Sequence, residues 1–187
     1  MLSTGIAKVS RLAEQCIYYL YRTKEIYMNV SVITADYYNK QQANDVMMCL
    51  SAYALDPMGG GESLSTYTQH NLIEKLQQQN NVFSVLCYVD DKVAALANCV
   101  EGFSTFSAKP LINFHDIVVL KEFRGRGLTT YLFDYVEQIA IDKGCCKLTL
   151  EVLEGNVVAK KAYEKVGFSG YELDPKMGQA VFWQKKL

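Results

Sequence analysis

The residues best suited to chemistry lie in a short basic turn from Arg124 to Gly127, which follows the aliphatic run Ile117–Leu120. An apolar pattern at helical spacing begins directly afterwards, at Leu128. Glycines let the backbone approach a ligand, and the exposed N–H groups of a first helical turn carry the positive end of the helix dipole. Strand, glycine turn and helix therefore predict an anion-binding site, to which the arginines add positive charge. The residues predicted to form it are Arg124, Gly125, Arg126, Gly127, Leu128, Thr129 and Thr130.

Three kinds of phosphate-binding loop could use such a turn. A Walker loop needs a Gly-Lys-Ser/Thr sequence and a dinucleotide loop needs three spaced glycines, and neither pattern is present here. The segment from Arg124 to Thr130, preceded by Val118 and Val119, resembles the acetyl-CoA pyrophosphate loop of the GCN5-related N-acetyltransferases, the GNAT superfamily. This resemblance implies that Ile117, Val118 and Val119 offer main-chain groups to the pantetheine arm and an N–H to the thioester oxygen. Thr129 stands where that loop usually has glycine or alanine, and its hydroxyl could itself bond a phosphate oxygen.

A second segment, from Asn156 to Phe168, strengthens this resemblance. It is similar to the late strand-to-helix segment of the superfamily, in which an asparagine opens the helix and Tyr-Glu-Lys-x-Gly-Phe closes it. Asn156 suits the N-cap and Gly167 suits the first position after the helix. Asn156 and Tyr163 lie about two helical turns apart, so their side chains share one face. For Asn156, capping and direct contact with the cofactor both remain open.

The resemblance implies an α+β fold, with a mixed, mostly antiparallel sheet and helices on both faces, over residues 29–187. The order of the apolar patterns agrees with that layout. Asp36 is predicted to cap the first helix, and the Asp90-Asp91 pair to turn a hairpin. The predicted elements are strands 29–33, 83–89, 93–101, 111–120 and 145–152, a stripe at Ala43, Val46, Met47 and Leu50 on the first helix, helices 72–76 and 128–142, and a strand within 171–187 that closes the sheet.

Residues 1–28 lie outside this pattern and are predicted to form an N-terminal extension. Apolar residues between Ile6 and Tyr21 recur at helical spacing, which indicates an amphipathic helix that docks on the domain or on a second subunit of a homodimer. A translation start placed too early is the alternative.

Composition limits the classes of function. The chain has 187 residues, half of them hydrophobic, and a formal net charge of −1, so one domain without a basic field for nucleic acid is expected. No apolar run approaches the roughly 20 residues of a membrane span. The six cysteines follow no metal-binding spacing, so we expect no metal and a reducing, cytoplasmic location.

The resemblance assigns the chemistry to two residues. Tyr163 occupies the position from which many superfamily members protonate the leaving thiolate, and a phenol with a pKa of about 10 is a suitable donor. A core tyrosine is the alternative.

His115 precedes the cofactor strand, where similar amine acetyltransferases carry an acid, and imidazole exchanges protons near neutral pH. His115 is therefore predicted as the general base; a buried, hydrogen-bonded histidine is the alternative. Strand alternation would place it with Ile117, and Asp116 with Phe114.

The acceptor is predicted to be a small cationic amine. Asp56, Glu62 and Asp116 are the acids expected to hold it, because the glycines at 59–61 leave the loop after the first helix free to shape a pocket. Within the superfamily, Phe103, Phe106 and the His115-Asp116 pair resemble the diamine and thialysine acetyltransferases. Direct transfer from acetyl-CoA to a small amine is thus the first hypothesis. A protein or peptide acceptor and a non-catalytic CoA-binding domain remain as alternatives.

Overall fold

The structure is a computed structural model. It describes residues 17–19, 28–171, 174, 176, 178 and 180–185. In chain order the elements are β1 (Ile17–Tyr19), β2 (Val30–Thr34), α1 (Lys40–Leu55), α2 (Thr66–Gln77), β3 (Val82–Val89), β4 (Lys92–Ser104), β5 (Lys109–Val119), a 3₁₀ turn (Lys121–Phe123), α3 (Leu128–Asp142), β6 (Leu148–Leu150) and α4 (Val157–Lys165).

The strands form one sheet in the order β1-β2-β3-β4-β5-β6. Every neighbouring pair is antiparallel except β5 and β6, which are parallel, so the sheet is mixed as predicted. The β3–β4 hairpin turns at Asp90 and Asp91, whose φ angles are 48° and 61°. Positive φ at both central residues suits the right-handed twist of the flanking strands, and aspartate tolerates this conformation better than most residues.

Helices cover both faces of the sheet, as the sequence predicts. On one face, Val46 and Cys49 of α1 pack with Leu86, Leu96 and Val118 of the strands. On the opposite face, α3 is held by an apolar cluster that also takes in Tyr163 of α4, and its buried members include Phe114, Leu128, Leu132, Phe133 and Val136. Strand β5 therefore has a helical layer on each side.

The first helix begins later than predicted. Asn39, not Asp36, is its N-cap, and the Asn39 Oδ1 accepts hydrogen bonds from the N–H groups of Gln41 and Gln42. Asp36 accepts instead from the N–H of Tyr38 at 2.9 Å, in a local turn that precedes the helix. The second helix is also longer than predicted, because the Ser65 hydroxyl caps it by accepting from the N–H of Thr68.

The predicted strand at 145–152 is shorter in the structure. The N–H of Cys145 bonds to the carbonyl of Ala140 at the end of α3, and that of Cys146 to the carbonyl of Pro110. These bonds close the helix first, so ladder pairing is confined to Leu148–Leu150.

The two ends of the chain also differ from prediction where they are described. The proposed N-terminal helix lies mainly outside the described residues, and Ile17–Tyr19 pair with β2 as a strand. The described residues after 171 form no strand, and the side chains of Val181, Phe182 and Trp183 are exposed. Gly178 does lie in the left-handed region, as its predicted turn requires. Within the described part, no helix is both long and apolar enough to cross a bilayer.

Candidate functional site

The glycine turn presents a row of unused backbone donors. Gly125 and Gly127 have φ angles of 78° and 75°, which explains the two glycines. Gly127 is the N-cap of α3 but offers no side chain to cap it, whereas Asn39, Ser65 and Asn156 cap the other helices. No partner among the described residues accepts from the N–H groups between Gly125 and Thr129. Together with the helix dipole, these donors can bind an anion.

The two arginines of the turn are held by other groups. Arg124 donates from Nε to the carbonyl of Val119 at 3.0 Å and from Nη2 to the Oδ2 of Asp56 at 2.8 Å. Arg126 donates to the carbonyl of Glu122 at 3.0 Å, and its guanidinium lies 5.3 Å from the centre of the Phe123 ring. The backbone N–H groups of the turn are thus unoccupied, and each guanidinium keeps further N–H donors beyond those contacts.

The end of β5 opens beside the turn. Strand β6 pairs only with residues Ile112–Phe114 of β5, so Ile117–Val119 have no strand neighbour on that side. Their side chains are anchored in the two core layers, with Val118 packed toward α1 and Ile117 and Val119 toward α3. The unpaired edge can offer main-chain groups to an extended ligand that runs from the turn into the domain.

A β-bulge changes how His115 and Asp116 are presented. Asn98 of β4 pairs with Asp116 while Cys99 pairs with Phe114, so His115 has no partner across the ladder. The prediction from simple alternation is therefore wrong, because Phe114 and Ile117 pack into the same core cluster. His115 is exposed, and Asp116, which is half-buried, accepts a 3.0 Å hydrogen bond on Oδ2 from the amide of Asn98.

Tyr163 combines a half-buried ring with an accessible hydroxyl. Its ring makes edge contacts with Phe133 at 5.6 Å and lies 6.4 Å from Phe168. No described residue bonds its hydroxyl, and no buried polar atom of the described residues lacks a partner, so solvent reaches the hydroxyl. Burial raises the pKa of Tyr163 to about 12, and the nearby Tyr53 adds to the effect. The phenol is therefore protonated at neutral pH, which is the form a proton donor needs.

Tyr53 is a site residue that the sequence reasoning missed. It lies near the end of α1, and its hydroxyl approaches the carbonyl of Met58 at 3.5 Å. Burial raises the pKa of Tyr53, with smaller contributions from Asp116 and Asp56. Tyr53 also raises the pKa of Tyr163, so Tyr53 of α1 interacts electrostatically both with Asp116 of β5 and with Tyr163 of α4. The apolar stripe of α1, if continued one turn beyond Leu50, would have indicated Tyr53.

The acids predicted to hold the acceptor occupy different environments. The Asp56 carboxylate is bonded to the N–H of Met58 and to Arg124, and these hydrogen bonds lower its pKa. Glu62 is exposed. A cavity of about 400 Å³ lies between the end of α1 and β5, and its lining includes Ala52, Leu55, Asp56, Val118, Leu120 and Arg124.

Asn156 acts as the N-cap of α4. Its Oδ1 accepts a 3.2 Å hydrogen bond from the N–H of Ala159, as the capping alternative requires. A role for its amide toward the cofactor stays a prediction. Among the described residues, no group of three or more His, Cys, Asp or Glu side chains is arranged to hold a metal ion.

An uncapped helix that starts where two parallel strands separate defines a domain able to hold a phosphorylated, extended ligand. The comparison with known families narrows this class. Residues 49–168 match the acetyltransferase (GNAT) family, which covers more than half of the chain. The chain therefore belongs to that family, as the two motifs predict.

Curated relatives align over a limited part of the chain. Thialysine N-epsilon-acetyltransferase of Bos taurus is 37% identical over 66 residues, which are 35% of this chain and 38% of the relative. The enzyme of Mus musculus is 32% identical over 65 residues, with the same shares covered. The matched region thus spans little more than a third of these relatives.

Solved structures support the fold over a greater length. The aminoglycoside N-acetyltransferase AAC(6')-Iy in complex with CoA has a TM-score of 0.67 at 17% identity, covering 88% of this chain and 100% of that one. An aminoglycoside acetyltransferase from an uncultured soil metagenomic sample, in complex with sisomicin, has a TM-score of 0.69 at 16% identity and covers 84% and 96%. At these identities the likeness establishes the α+β fold.

Proposed function

We propose that the protein is an acetyl-CoA-dependent N-acetyltransferase that acts on a primary amine of a small molecule, by direct transfer in a ternary complex. The observation that carries this proposal is the row of unpartnered N–H groups from Gly125 to Thr129, beside the open end of β5. The pyrophosphate of acetyl-CoA binds these donors, and the Thr129 hydroxyl adds another. The pantetheine arm then follows the free edge at Ile117–Val119, which brings the thioester toward Tyr163.

Transfer needs a protonated leaving group. The amine nitrogen attacks the thioester carbon, the C–S bond breaks, and the sulfur takes the proton of the Tyr163 hydroxyl. The proton that the nitrogen loses as the amide forms then returns to the Tyr163 phenolate through solvent. Burial raises the pKa of the phenol to about 12, so its proton moves to the sulfur as the C–S bond breaks and negative charge develops there.

The acceptor amine must arrive as a free base or lose a proton at the site. His115 lies exposed at the bulge of β5, where it can take that proton directly or through a water molecule. Asp56 already neutralises Arg124, so Asp116 and Glu62 are the carboxylates left to hold a second cationic group of the acceptor. This arrangement favours amines that carry two positive charges.

The relatives support an amine acceptor of small size. The similar proteins include thialysine and aminoglycoside acetyltransferases, which are named for small amines; the structural likeness to the aminoglycoside enzymes, below 25% identity, supports the fold. The ribosomal-protein-alanine N-acetyltransferase of Brucella melitensis has a lower TM-score of 0.61 at 16% identity. A protein acceptor is the second candidate, and it needs an open groove in place of a cavity.

The test is thiol release from acetyl-CoA, followed by mass spectrometry of the amine product. The panel contains diamines, amino acids, aminoglycosides and short peptides, each with and without enzyme. We expect release with small primary amines, fastest with diamines. Release only with peptides would favour the second candidate. Acetyl-CoA binding without release on any acceptor would indicate a non-catalytic CoA-binding domain.

A further inference from the structure

A chain of polar side chains crosses the sheet from the start of the domain to Asp116. The Tyr37 hydroxyl lies 2.9 Å from the Ser84 hydroxyl, which donates to the Oδ1 of Asn98 at 2.6 Å. The Asn98 amide then donates to the Oδ2 of Asp116 at 3.0 Å. The chain connects β3, β4 and β5 on the face that is covered by α1 and α2.

The direction of each hydrogen bond in this chain follows from chemistry. The amide oxygen of Asn98 can only accept, so the hydroxyl hydrogen of Ser84 is committed to it. Ser84 can therefore only accept from Tyr37, whose pKa is raised by burial and which remains a donor at neutral pH. The amide hydrogens of Asn98 are then left to donate to the carboxylate. The order is fixed from Tyr37 to Asp116.

Burying the polar groups of this chain costs desolvation free energy, which their hydrogen bonds to one another offset. Ser84 is fully buried and Asn98 is 9% exposed, and their surroundings on this face are largely apolar. The third buried polar or charged residue of the described part, Asp45, belongs to a separate group in which Tyr88 donates to it at 2.9 Å and Gln41 at 3.0 Å. The chain from Tyr37 is thus a separate polar path that leads from this interior to Asp116.

The end of the chain, Asp116, lies near Tyr53 of α1. Only Oδ2 of Asp116 is bonded, and no buried polar atom of the described residues is unsatisfied, so Oδ1 is open to solvent. Asp116 also acts electrostatically on Tyr53, which in turn acts on Tyr163. A carboxylate held by one oxygen offers the other in a fixed direction.

We propose that Tyr37, Ser84 and Asn98 are positioning residues that orient the Asp116 carboxylate, whose free oxygen binds the distal ammonium of a diamine acceptor. This inference rests on the proposed acetyl transfer to small amines, and it adds the residues that select amines with two positive charges among them. Asp116 is then the specificity-determining contact, and the buried chain fixes its geometry.

The experiment compares putrescine with n-butylamine, which differ in the distal ammonium. For the parent and each variant, kcat and KM are measured for both amines, and the affinity of each amine is measured by calorimetry with CoA present. The variants are Asp116→Asn, Asn98→Ala and Tyr37→Phe. Tyr88→Phe is the matched control, because it removes a hydroxyl on the same face that bonds Asp45 instead.

We expect Asp116→Asn and Asn98→Ala each to lower the preference for putrescine by about two- to fivefold, mainly through KM, because one partly exposed ion pair is removed or misaligned. Tyr37→Phe should lower it less, and Tyr88→Phe should not change it. The double variant Asp116→Asn with Asn98→Ala should show no greater loss of preference than Asp116→Asn alone, since Asn98 acts through Asp116.

Several outcomes would overturn the inference. An unchanged preference in a folded Asn98→Ala variant would do so, as would an equal loss in Tyr88→Phe. A parent that binds neither amine would also overturn it. Chain-dependent binding of putrescine without any turnover would instead contradict the proposed function and keep the positioning role.

Discussion

At the residue scale, Tyr163 has the two properties that an acid catalyst needs. Its ring is fixed by Phe133 and Phe168, so the hydroxyl has a defined position, and that hydroxyl is accessible to a ligand. Its raised pKa keeps the proton in place across the neutral range. The position of the proton is thus set by packing and not by a hydrogen-bonded partner.

Replacing Tyr163 with phenylalanine tests this role. We expect kcat to fall by roughly a hundred- to ten-thousand-fold, the usual contribution of a positioned general acid. The affinity for acetyl-CoA should stay the same, because the ring contacts are retained. Steady-state kinetics and calorimetry check the two parts, with Tyr67→Phe, a change at an exposed tyrosine of α2, as the control. Equal turnover in Tyr163→Phe and the parent would return Tyr163 to a packing role.

Individual residues differ in how well the sequence predicts them. Asn156 and Gly167 were predictable, because capping depends on a few neighbouring residues. The exposure of His115 was not, because it depends on a bulge created by pairing with β4. The Arg124 contact with Asp56 was equally hidden, since 68 positions separate the two residues along the chain.

At the element scale, this ion pair ties the end of α1 to the turn before α3. The side chains of Arg124 and Asp56 are 51% and 20% exposed, so solvent screens their attraction. The pair therefore fixes the end of α1 against the turn before α3 more than it stabilises the whole domain.

A double-mutant cycle of Arg124→Gln and Asp56→Asn measures the strength of the link. We expect a coupling energy below about 1 kcal/mol from urea unfolding, because exposed pairs seldom exceed that value. High salt should reduce it further. A coupling of several kcal/mol that persists in high salt would contradict the interpretation and indicate a buried, structural pair.

Elements with strong local signals were predicted most accurately. The bounds of α3 follow from Gly127 before it and from Lys143 and Gly144 after it, and the β3–β4 hairpin follows from its aspartate turn. The strand predicted at 145–152 is longer than the observed β6. The carbonyl of Pro110 accepts a hydrogen bond from the N–H of Cys146, and no local sequence pattern encodes that contact.

At the scale of the whole molecule, buried thiols make stability depend on alkaline pH. Burial raises the pKa values of Cys49 and Cys87 from 9.0 to about 12. Between these values the folded state binds more protons than the unfolded state, so their contribution is complete below pH 9 and is lost as the pH rises toward 12.

The free energy of unfolding should therefore decrease steadily as the pH rises above about 9. Urea unfolding at several pH values, with reductant present, measures this slope. Cys87→Ala should reduce the slope, whereas Val85→Ala, which removes buried apolar atoms from the same strand, should lower stability equally at every pH. A slope that is the same in Cys87→Ala and the parent would contradict the assignment.

The central claim is that the N–H groups from Gly125 to Thr129 bind the pyrophosphate of acetyl-CoA. Gly127→Ala places a methyl group beside these donors, at a φ of 75°, where no described residue beyond its chain neighbours comes within 4 Å. Gly144→Ala is the matched control, because it forces alanine into a similar conformation, with φ of 67°, at the opposite end of α3. The two variants should thus share the strain of a left-handed alanine, about 1–2 kcal/mol of stability.

Calorimetric titration with acetyl-CoA separates the two variants. The account predicts that the parent and Gly144→Ala bind with equal affinity, whereas Gly127→Ala binds at least tenfold more weakly while it remains folded. Equal binding of acetyl-CoA by all three proteins, or no binding by the parent, would contradict the claim.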